Sequence, residues 1–263
     1  MKTRILAALA FAVLAPAALE AQSGLGRDQE VWTWSGSLAV GQWARAHSIN
    51  GAVRFEASAD NQIHIRAEKR LGRRGEIQDV SFALVRTSSG LTICVLRHDI
   101  DSCDEDGINS ARTRNYNNDV SADLTVQVPR GAHVSANTVN GGVRVEGTSG
   151  EVKASTVNGG VNVVTSGGPV SANTVNGSVR AEVGTATREA MRFRTVNGSV
   201  EIALPAETAA DVDISTVNGS INTEFPMTIT GRWGPKNARG TINGGGETIS
   251  ISTVNGSVRL RRS

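Results

Sequence analysis

Apolar and polar positions alternate along most of this chain. Val152, Ala154 and Thr156 face one way against Glu151, Lys153 and Ser155, and Val161 and Val163 flank Asn162. The same period of two runs through Val53-Arg-Phe55, Ile63-His-Ile65, Val80-Ser-Phe82-Ala-Leu84 and Leu124-Thr-Val126-Gln-Val128, with bulkier inward residues. Period-two alternation is the pattern of half-buried β-strands, and no window carries a comparable apolar stripe of helical period. The chain is therefore expected to be almost entirely β.

Repetition organises these strands. Thr-Val-Asn-Gly begins at Thr138, Thr156, Thr174, Thr195, Thr216 and Thr253, at intervals of 18, 18, 21, 21 and 37 residues. The last interval contains a variant, Thr241-Ile-Asn-Gly244, and a degenerate copy, Ser48-Ile-Asn-Gly51, stands upstream. A second punctuation, Ser149-Gly150 and Ser166-Gly-Gly168, falls between copies, so each unit has two short strands and two corners. Asn-Gly between apolar strands is a strong hairpin signal, because both residues accept the positive φ of a type I′ turn, and an antiparallel β-meander is one arrangement. The other is a single-chain parallel β-helix, or β-solenoid, with about 18–21 residues per rung and corners stacked about 4.8 Å apart. Stacking sets each Asn on its copy and lets the amides form a hydrogen-bonded ladder, which a meander does not require, so the solenoid is the expected fold. The structural corners are then Asn140-Gly141, Asn158-Gly159, Asn176-Gly177, Asn197-Gly198, Asn218-Gly219 and Asn255-Gly256. Gly177 is expected in a left-handed conformation, and Asn255, near the chain end, with one side of its stack open.

Composition suits a narrow interior: glycine numbers 29, and Phe, Trp and Tyr together only 10. The first residues read differently. Lys2 and Arg4 precede an apolar run from Ile5 to Leu19 that contains Pro16, the grammar of an export signal cleaved after Ala21. That run is shorter than the ~20 residues of a membrane span. The expected organisation is a signal peptide at 1–21, an N-terminal β region of irregular rungs with an acidic disulfide loop at 22–130, and the Thr-Val-Asn-Gly solenoid at 131–263. The mature chain is expected to be periplasmic, cell-surface or secreted, with no membrane span. In such an oxidising compartment Cys94 and Cys103, the only two cysteines, are expected to form a disulfide.

With 27 basic and 25 acidic residues the net charge is +2, which argues against a nucleic-acid partner. The acidic stretch Asp99-Ile-Asp101-Ser-Cys103-Asp-Glu-Asp106 lacks the ligand spacing of an EF-hand, and is expected to be a solvated loop without an essential metal, weak calcium binding being the alternative. His47, His64, His98 and His133 are dispersed. There is no nucleophile elbow or phosphate loop, and acids such as Glu151, Glu182, Glu201 and Asp213 form no identifiable pair. No catalytic residue, metal site or cofactor is expected.

The Trp-rich opening Trp32-Thr-Trp34-Ser-Gly36 with Gly41-Gln-Trp43, the repeated Thr-Val-Asn-Gly-Ser/Gly-Val, Leu91-Thr-Ile93-Cys94 and Asn117-Asn-Asp119-Val120 resemble the bacterial putative-adhesin family of β-strand-repeat proteins of unknown function, over roughly residues 30 to 263. The resemblance implies a β-helix in the envelope or at the cell surface, and carries over no catalytic residues. The expected function is a non-catalytic, adhesin-like protein presenting a repetitive surface to a partner or glycan for binding or scaffolding. A carbohydrate-active β-helix lyase or hydrolase is the alternative. The sequence leaves the oligomeric state open.

Overall fold

A computed structural model describes residues 20–97, 101–110, 118–230 and 235–263. The signal sequence at 1–21 lies outside them except for its last two residues. The N-terminal strands are β1 (Glu20–Leu25), β2 (Val31–Gly36), β3 (Trp43–His47), β4 (Val53–Ala57), β5 (Ile63–Arg70), β6 (Val80–Thr87), β7 (Gly90–Arg97), β8 (Asp101–Cys103), β9 (Ile108–Ser110) and β10 (Ser121–Val128). The first repeats form β11 (His133–Asn137), β12 (Val143–Thr148), β13 (Val152–Ser155), β14 (Val161–Thr165), β15 (Val170–Asn173), β16 (Val179–Val183), β17 (Met191–Arg194) and β18 (Val200–Leu204). The C-terminal strands are β19 (Ala210–Asn218), β20 (Ile221–Thr223), β21 (Thr228–Thr230), β22 (Lys236–Ile242), β23 (Thr248–Asn255) and β24 (Val258–Arg262).

Two long sheets take nearly all of them. Sheet I runs β1-β6-β7-β3-β11-β13-β15-β17-β23-β19-β22-β21, and sheet II runs β2-β5-β10-β4-β12-β14-β16-β18-β24-β20. Within the repeats the pairing is parallel: Val134 lies beside Val152, which lies beside Val170. Strands on either side of a repeated corner belong to different sheets, so the corner bends the chain from sheet I to sheet II and does not close an antiparallel hairpin. The N-terminal region continues the same sheets through β3 and β4, which pair with β11 and β12.

Sequence order and spatial order part company at the C-terminal end. Ile249 of β23 pairs with Met191 of β17 on one side and Val212 of β19 on the other. Val258 of β24 likewise sits between Val200 of β18 and Ile221 of β20. The last repeat in the sequence is therefore inserted between two earlier ones, and the steady climb of 18–21 residues per rung does not hold there. Antiparallel β22 and β21 then close sheet I.

The interior is one continuous apolar cluster from Trp32 to Leu260. Inward positions of the middle repeats are small, as in Val152, Ala154, Val161 and Val163, while Phe55 and Phe82 fill the N-terminal end, where Trp32 stacks on Phe82 with ring centroids 5.2 Å apart. Lys69 lies in this end cap, 1% exposed. Its Nζ donates to the carbonyls of Gly26, Arg27 and Ile77 at 2.7, 2.8 and 2.9 Å, and burial pushes its pKa down to about 8. The ammonium thus ties two loops to β5. Lys69→Met should cost about 2–4 kcal/mol in urea unfolding, because buried carbonyls lose their donor. A loss below about 0.5 kcal/mol would show that the cap does not depend on this residue.

Candidate functional surface

The repeated corner is built by four residues with separate tasks. Thr points inward and donates Oγ1 to the carbonyl of the neighbouring corner glycine: Thr156 to Gly141, Thr174 to Gly159, Thr195 to Gly177 and Thr253 to Gly198, at 2.7–2.8 Å. Val faces outward and stays about 38–40% exposed, giving a stripe that includes Val157, Val175 and Val196. Asn Nδ2 donates to the Oδ1 of the Asn before it, from Asn140 on Asn50 through Asn158, Asn176, Asn197 and Asn255 to Asn218. The degenerate copy at 48–51 is thus a true corner. The variant at 241–244 is not: Asn243 and Gly244 have φ of 47° and 89° and turn the chain from β22 to β23, while Asn243 Nδ2 bonds the carbonyls of Ala206 and Thr208.

Two expectations need correction. Gly177 and the other glycines of the six Thr-Val-Asn-Gly corners are not in the left-handed region, and only Gly51 of the degenerate corner has a positive φ, 130°; glycine is required at 177 because a Cβ there would overlap the carbonyl oxygen of Gly159. Asn255 is also not at an open end, since it bonds Asn197 on one side and Asn218 on the other. The terminal amide is Asn218. Beyond it, Lys236 Nζ donates to Gly219 O at 2.7 Å, occupying the acceptor that a further threonine would take. Asn176→Ala and Asn255→Ala should therefore lose similar stability, about 0.5–1.5 kcal/mol per amide bond, and Asn218→Ala less. Urea unfolding of the three variants checks this, and equal losses at Asn218 and Asn255 would refute Asn218 as the end of the ladder.

Cys94 and Cys103 are joined by a disulfide. It ties the β8–β9 hairpin onto the outer side of β6 and β7, over Ala83, Cys94 and Leu96. Of the acidic loop, residues 99 and 100 lie outside the described residues. Within the rest, Asp104 accepts from the backbone of Asp106 and Gly107, and Glu105 reaches across to Arg45 at 3.2 Å and to the hydroxyl of Ser89. His47 sits beneath the hairpin, its imidazole held below the ordinary range by burial and then by Arg45. Among the described residues no group of three or more His, Cys, Asp or Glu is placed to hold a metal, and no helix is long and apolar enough to cross a membrane.

The outer face of sheet I carries a register row that the sequence reading missed. Across neighbouring strands it runs Arg45, Ser135, Lys153, Ser171, Arg192, Ser250, Asp213 and Arg239. Cations thus stand on every second strand from β3 to β17, about 9.6 Å apart. The signal was available in the aligned repeats, where Val134-Ser-Ala, Val152-Lys-Ala, Val170-Ser-Ala and Met191-Arg-Phe share one frame. The parallel row one step along is His47, Asn137, Ser155, Asn173, Arg194 and Ser252. Next to the first row, Trp43 packs against His133 with ring centroids 5.1 Å apart and planes tilted by 37°, and Lys153 Nζ lies 4.3 Å from the centre of the Trp43 ring.

Sheet II differs in its electrostatics. Most of its outward arginines sit beside carboxylates, Arg66 on Glu68 at 3.5 Å, Arg70 on Asp123 at 3.1 Å, Arg144 on Glu146, and Arg180 on Glu201 at 3.8 Å, while Arg259 is exposed without one among the described residues. On sheet I, Lys153 pairs with Glu151 at 3.0 Å, whereas Arg192 and Arg194 are exposed and have no carboxylate partner among the described residues. A shallow cavity of about 420 Å³ opens at the end of the same face, lined by Asp211, Asp213, Arg239, Thr241 and Thr248. Asp211 accepts from Thr241 at 2.7 Å and Asp213 pairs with Arg239 at 3.3 Å.

An all-β chain built of corner repeats on long, mostly parallel sheets defines a solenoid-like class of repeat protein. The chain belongs to the Toastrack family, DUF4097, whose profile matches residues 85–261. Among curated proteins none matches. Among solved structures the chain is similar to a putative cell adhesion protein from Clostridium sporogenes, at 8% identity and a TM-score of 0.41 over 89% of this chain and 100% of that one. A putative adhesin from Bacteroides fragilis is similar at 10% identity and a TM-score of 0.41, over 89% and 97% of the two chains. Another from Parabacteroides distasonis gives 10% identity and a TM-score of 0.25, over 90% and 98%.

Proposed function

We propose that this protein is a non-catalytic, exported, adhesin-like β-solenoid that binds an envelope partner or glycan through its repetitive outer surface. In this reading residues 1–21 direct export, 22–130 form a capped N-terminal region, and 131–263 form the repeat solenoid with rungs of 18 to 21 residues before the C-terminal inversion. The observation that carries it is the regular outer face of sheet I, where rows of Ser, Asn and basic side chains recur at strand spacing on a rigid core. Repeat surfaces of this kind serve extended recognition. The disulfide agrees with an oxidising compartment. The predicted cleavage after Ala21 falls inside β1, so the mature chain would keep the strand's pairing from Gln22 onward.

The test is a pull-down of the mature protein against envelope fractions, run beside a glycan array, with mass spectrometry of the exported N-terminus. Specific retention and a new terminus near Gln22 support the reading. Recovery of full-length chain solely from cytoplasm, with no retained partner, overturns it. A second reading, a carbohydrate-active enzyme, draws on Asp211 and Asp213 in the cavity, outward residues about 6.6 Å apart along β19. A pair of carboxylates at one cavity is the equipment a glycosidase uses. Both are held by Thr241 and Arg239 on an exposed face, without the apolar setting that keeps a general acid protonated. Release of new reducing ends from polysaccharides, abolished by Asp213→Asn, would establish the second reading in place of the first.

A further inference from the structure

We propose that the outer face of sheet I binds a linear acidic polysaccharide laid across the strands, with Arg192 and Arg194 as its anchors. The proposal rests on the adhesin-like reading and names its ligand class.

Three observations converge. First, the two arginines of β17 differ from most of the outward arginines. On both sheets most of these have a carboxylate beside the guanidinium, Arg45 and Arg239 on sheet I as well as Arg66, Arg70, Arg144 and Arg180 on sheet II, which leaves little attraction for an anion. The twin arginines of β17 are exposed and unpaired among the described residues, Arg192 between Ser171 and Ser250 and Arg194 between Asn173 and Ser252. Small neighbours leave the guanidinium fork open for a bidentate contact with a carboxylate or sulfate. Second, the chain already displays this chemistry with its own carboxylate. Glu105 is seated on Arg45 and Ser89, an arginine beside a serine, at the far end of the same row. The Arg192 position repeats the arginine and the serines without an internal acid to fill it. Third, the cations of the row alternate with serines at two-strand spacing, about 9.6 Å. A linear glycan in an extended two-residue repeat presents one face of every second sugar at a comparable spacing. Its acidic group would meet the arginines of β17, since Arg45 and Lys153 of the row already face Glu105 and Glu151, and its hydroxyls the intervening Ser and Asn side chains.

The ligand is a glycan and not a nucleic acid or a membrane, because the cations form one narrow line on a chain of net charge +2, flanked by neutral hydroxyls and amides. A phosphate backbone is served by a broad basic surface, and a lipid surface by clustered basic residues.

Biolayer interferometry of the full mature chain tests this with immobilised hyaluronan, which has one carboxylate per disaccharide, and polygalacturonate, with one per sugar. Dextran, phosphatidylglycerol vesicles and duplex DNA are the comparison surfaces. Wild type should bind the acidic glycans in low salt and weaken as salt screens the contact. The Arg192→Gln/Arg194→Gln variant should lose about tenfold or more, the loss of two charge-assisted contacts. Arg144→Gln/Arg180→Gln, with the same change in net charge on sheet II, should lose less than about twofold. Ser250→Glu, which places an internal acid beside Arg192 as Glu105 stands beside Arg45, should reproduce the first loss. Unchanged melting temperatures establish that each variant is folded. No binding to either acidic glycan, equal losses in both double variants, or stronger binding to vesicles or DNA overturns the proposal. Retention of envelope material by wild type and Arg192→Gln/Arg194→Gln alike would overturn it while leaving the adhesin-like reading intact. Wild type that retains nothing on any surface removes both.

Discussion

Gly177→Ala is expected to destabilise the protein by about 3 kcal/mol or more, in spite of adding a single methyl group. The site has no room for it. The corner glycines stack so closely that a Cβ on Gly177 would overlap the carbonyl oxygen of Gly159, which itself accepts the Thr174 hydroxyl at 2.8 Å. Relief requires either the two corners to separate, which breaks ladder and threonine bonds together, or the chain to leave the corner conformation. One position further along, the geometry is relaxed: a Cβ on Gly160 would lie 3.4 Å from the carbonyl oxygen of Ser178, in tolerable contact. Serine occupies that place at Ser178, Ser199, Ser220 and Ser257. Gly160→Ser should thus stay within about 0.5 kcal/mol of wild type. Urea unfolding of the two variants decides, and comparable small losses would show that the corners do not approach as closely as described.

Removing residues 248–263 should unfold far more than the residues deleted. Loss of a terminal repeat from a linear stack leaves the remaining interfaces in place, because each repeat touches only its neighbours. Here β23 and β24 stand between β17 and β19 and between β18 and β20. Their removal takes away the parallel pairing that joins β19–β22 to the rest of both sheets. It also breaks the ladder between Asn197 and Asn218 and strips the threonine contact from Gly198. Hydrogen exchange of the truncated chain should show residues 205–247 unprotected and the repeats from 133 to 183 still protected. Continued protection of 205–247 would mean that this segment is held by its own antiparallel pairing, with the inserted repeat only an accessory.

The inserted repeat marks the boundary between what the amino-acid order determines and what it leaves open. Strand positions were legible, because period-two alternation is a local property: the burial along β10, β11 and β13 follows the alternation of apolar residues. Corners were legible as well, including the degenerate Ser48–Gly51, since Asn and Gly at a fixed offset from an apolar strand mark a bend whatever lies beside it. The reason for the glycines was not. A local reading assigns them a left-handed turn, whereas the requirement comes from a backbone carbonyl in another repeat.

The neighbour relations belong to the tertiary structure. Corners of one sequence present the same Thr hydroxyl, Asn amide and Gly carbonyl, so any repeat can stack on any other with the same bonds, and the Thr-Val-Asn-Gly text cannot rank adjacent partners. The variant Thr241–Gly244 matched the motif and became a turn, while Thr253–Gly256 matched it and entered the middle of the stack. The cap contacts mark where the stack ends: Lys236 closes the acceptor on Gly219, Lys69 gathers three carbonyls at the other end, and β22 and β21 cover the edge of β19. The row of Arg45, Lys153 and Arg192 depends on the same register, because residues far apart in sequence share a line only once their strands are paired. Alternation and corner chemistry are local and were determined by the sequence alone; adjacency, end capping and the composition of each outer face are long-range, and were decided by which strands the folded chain sets side by side.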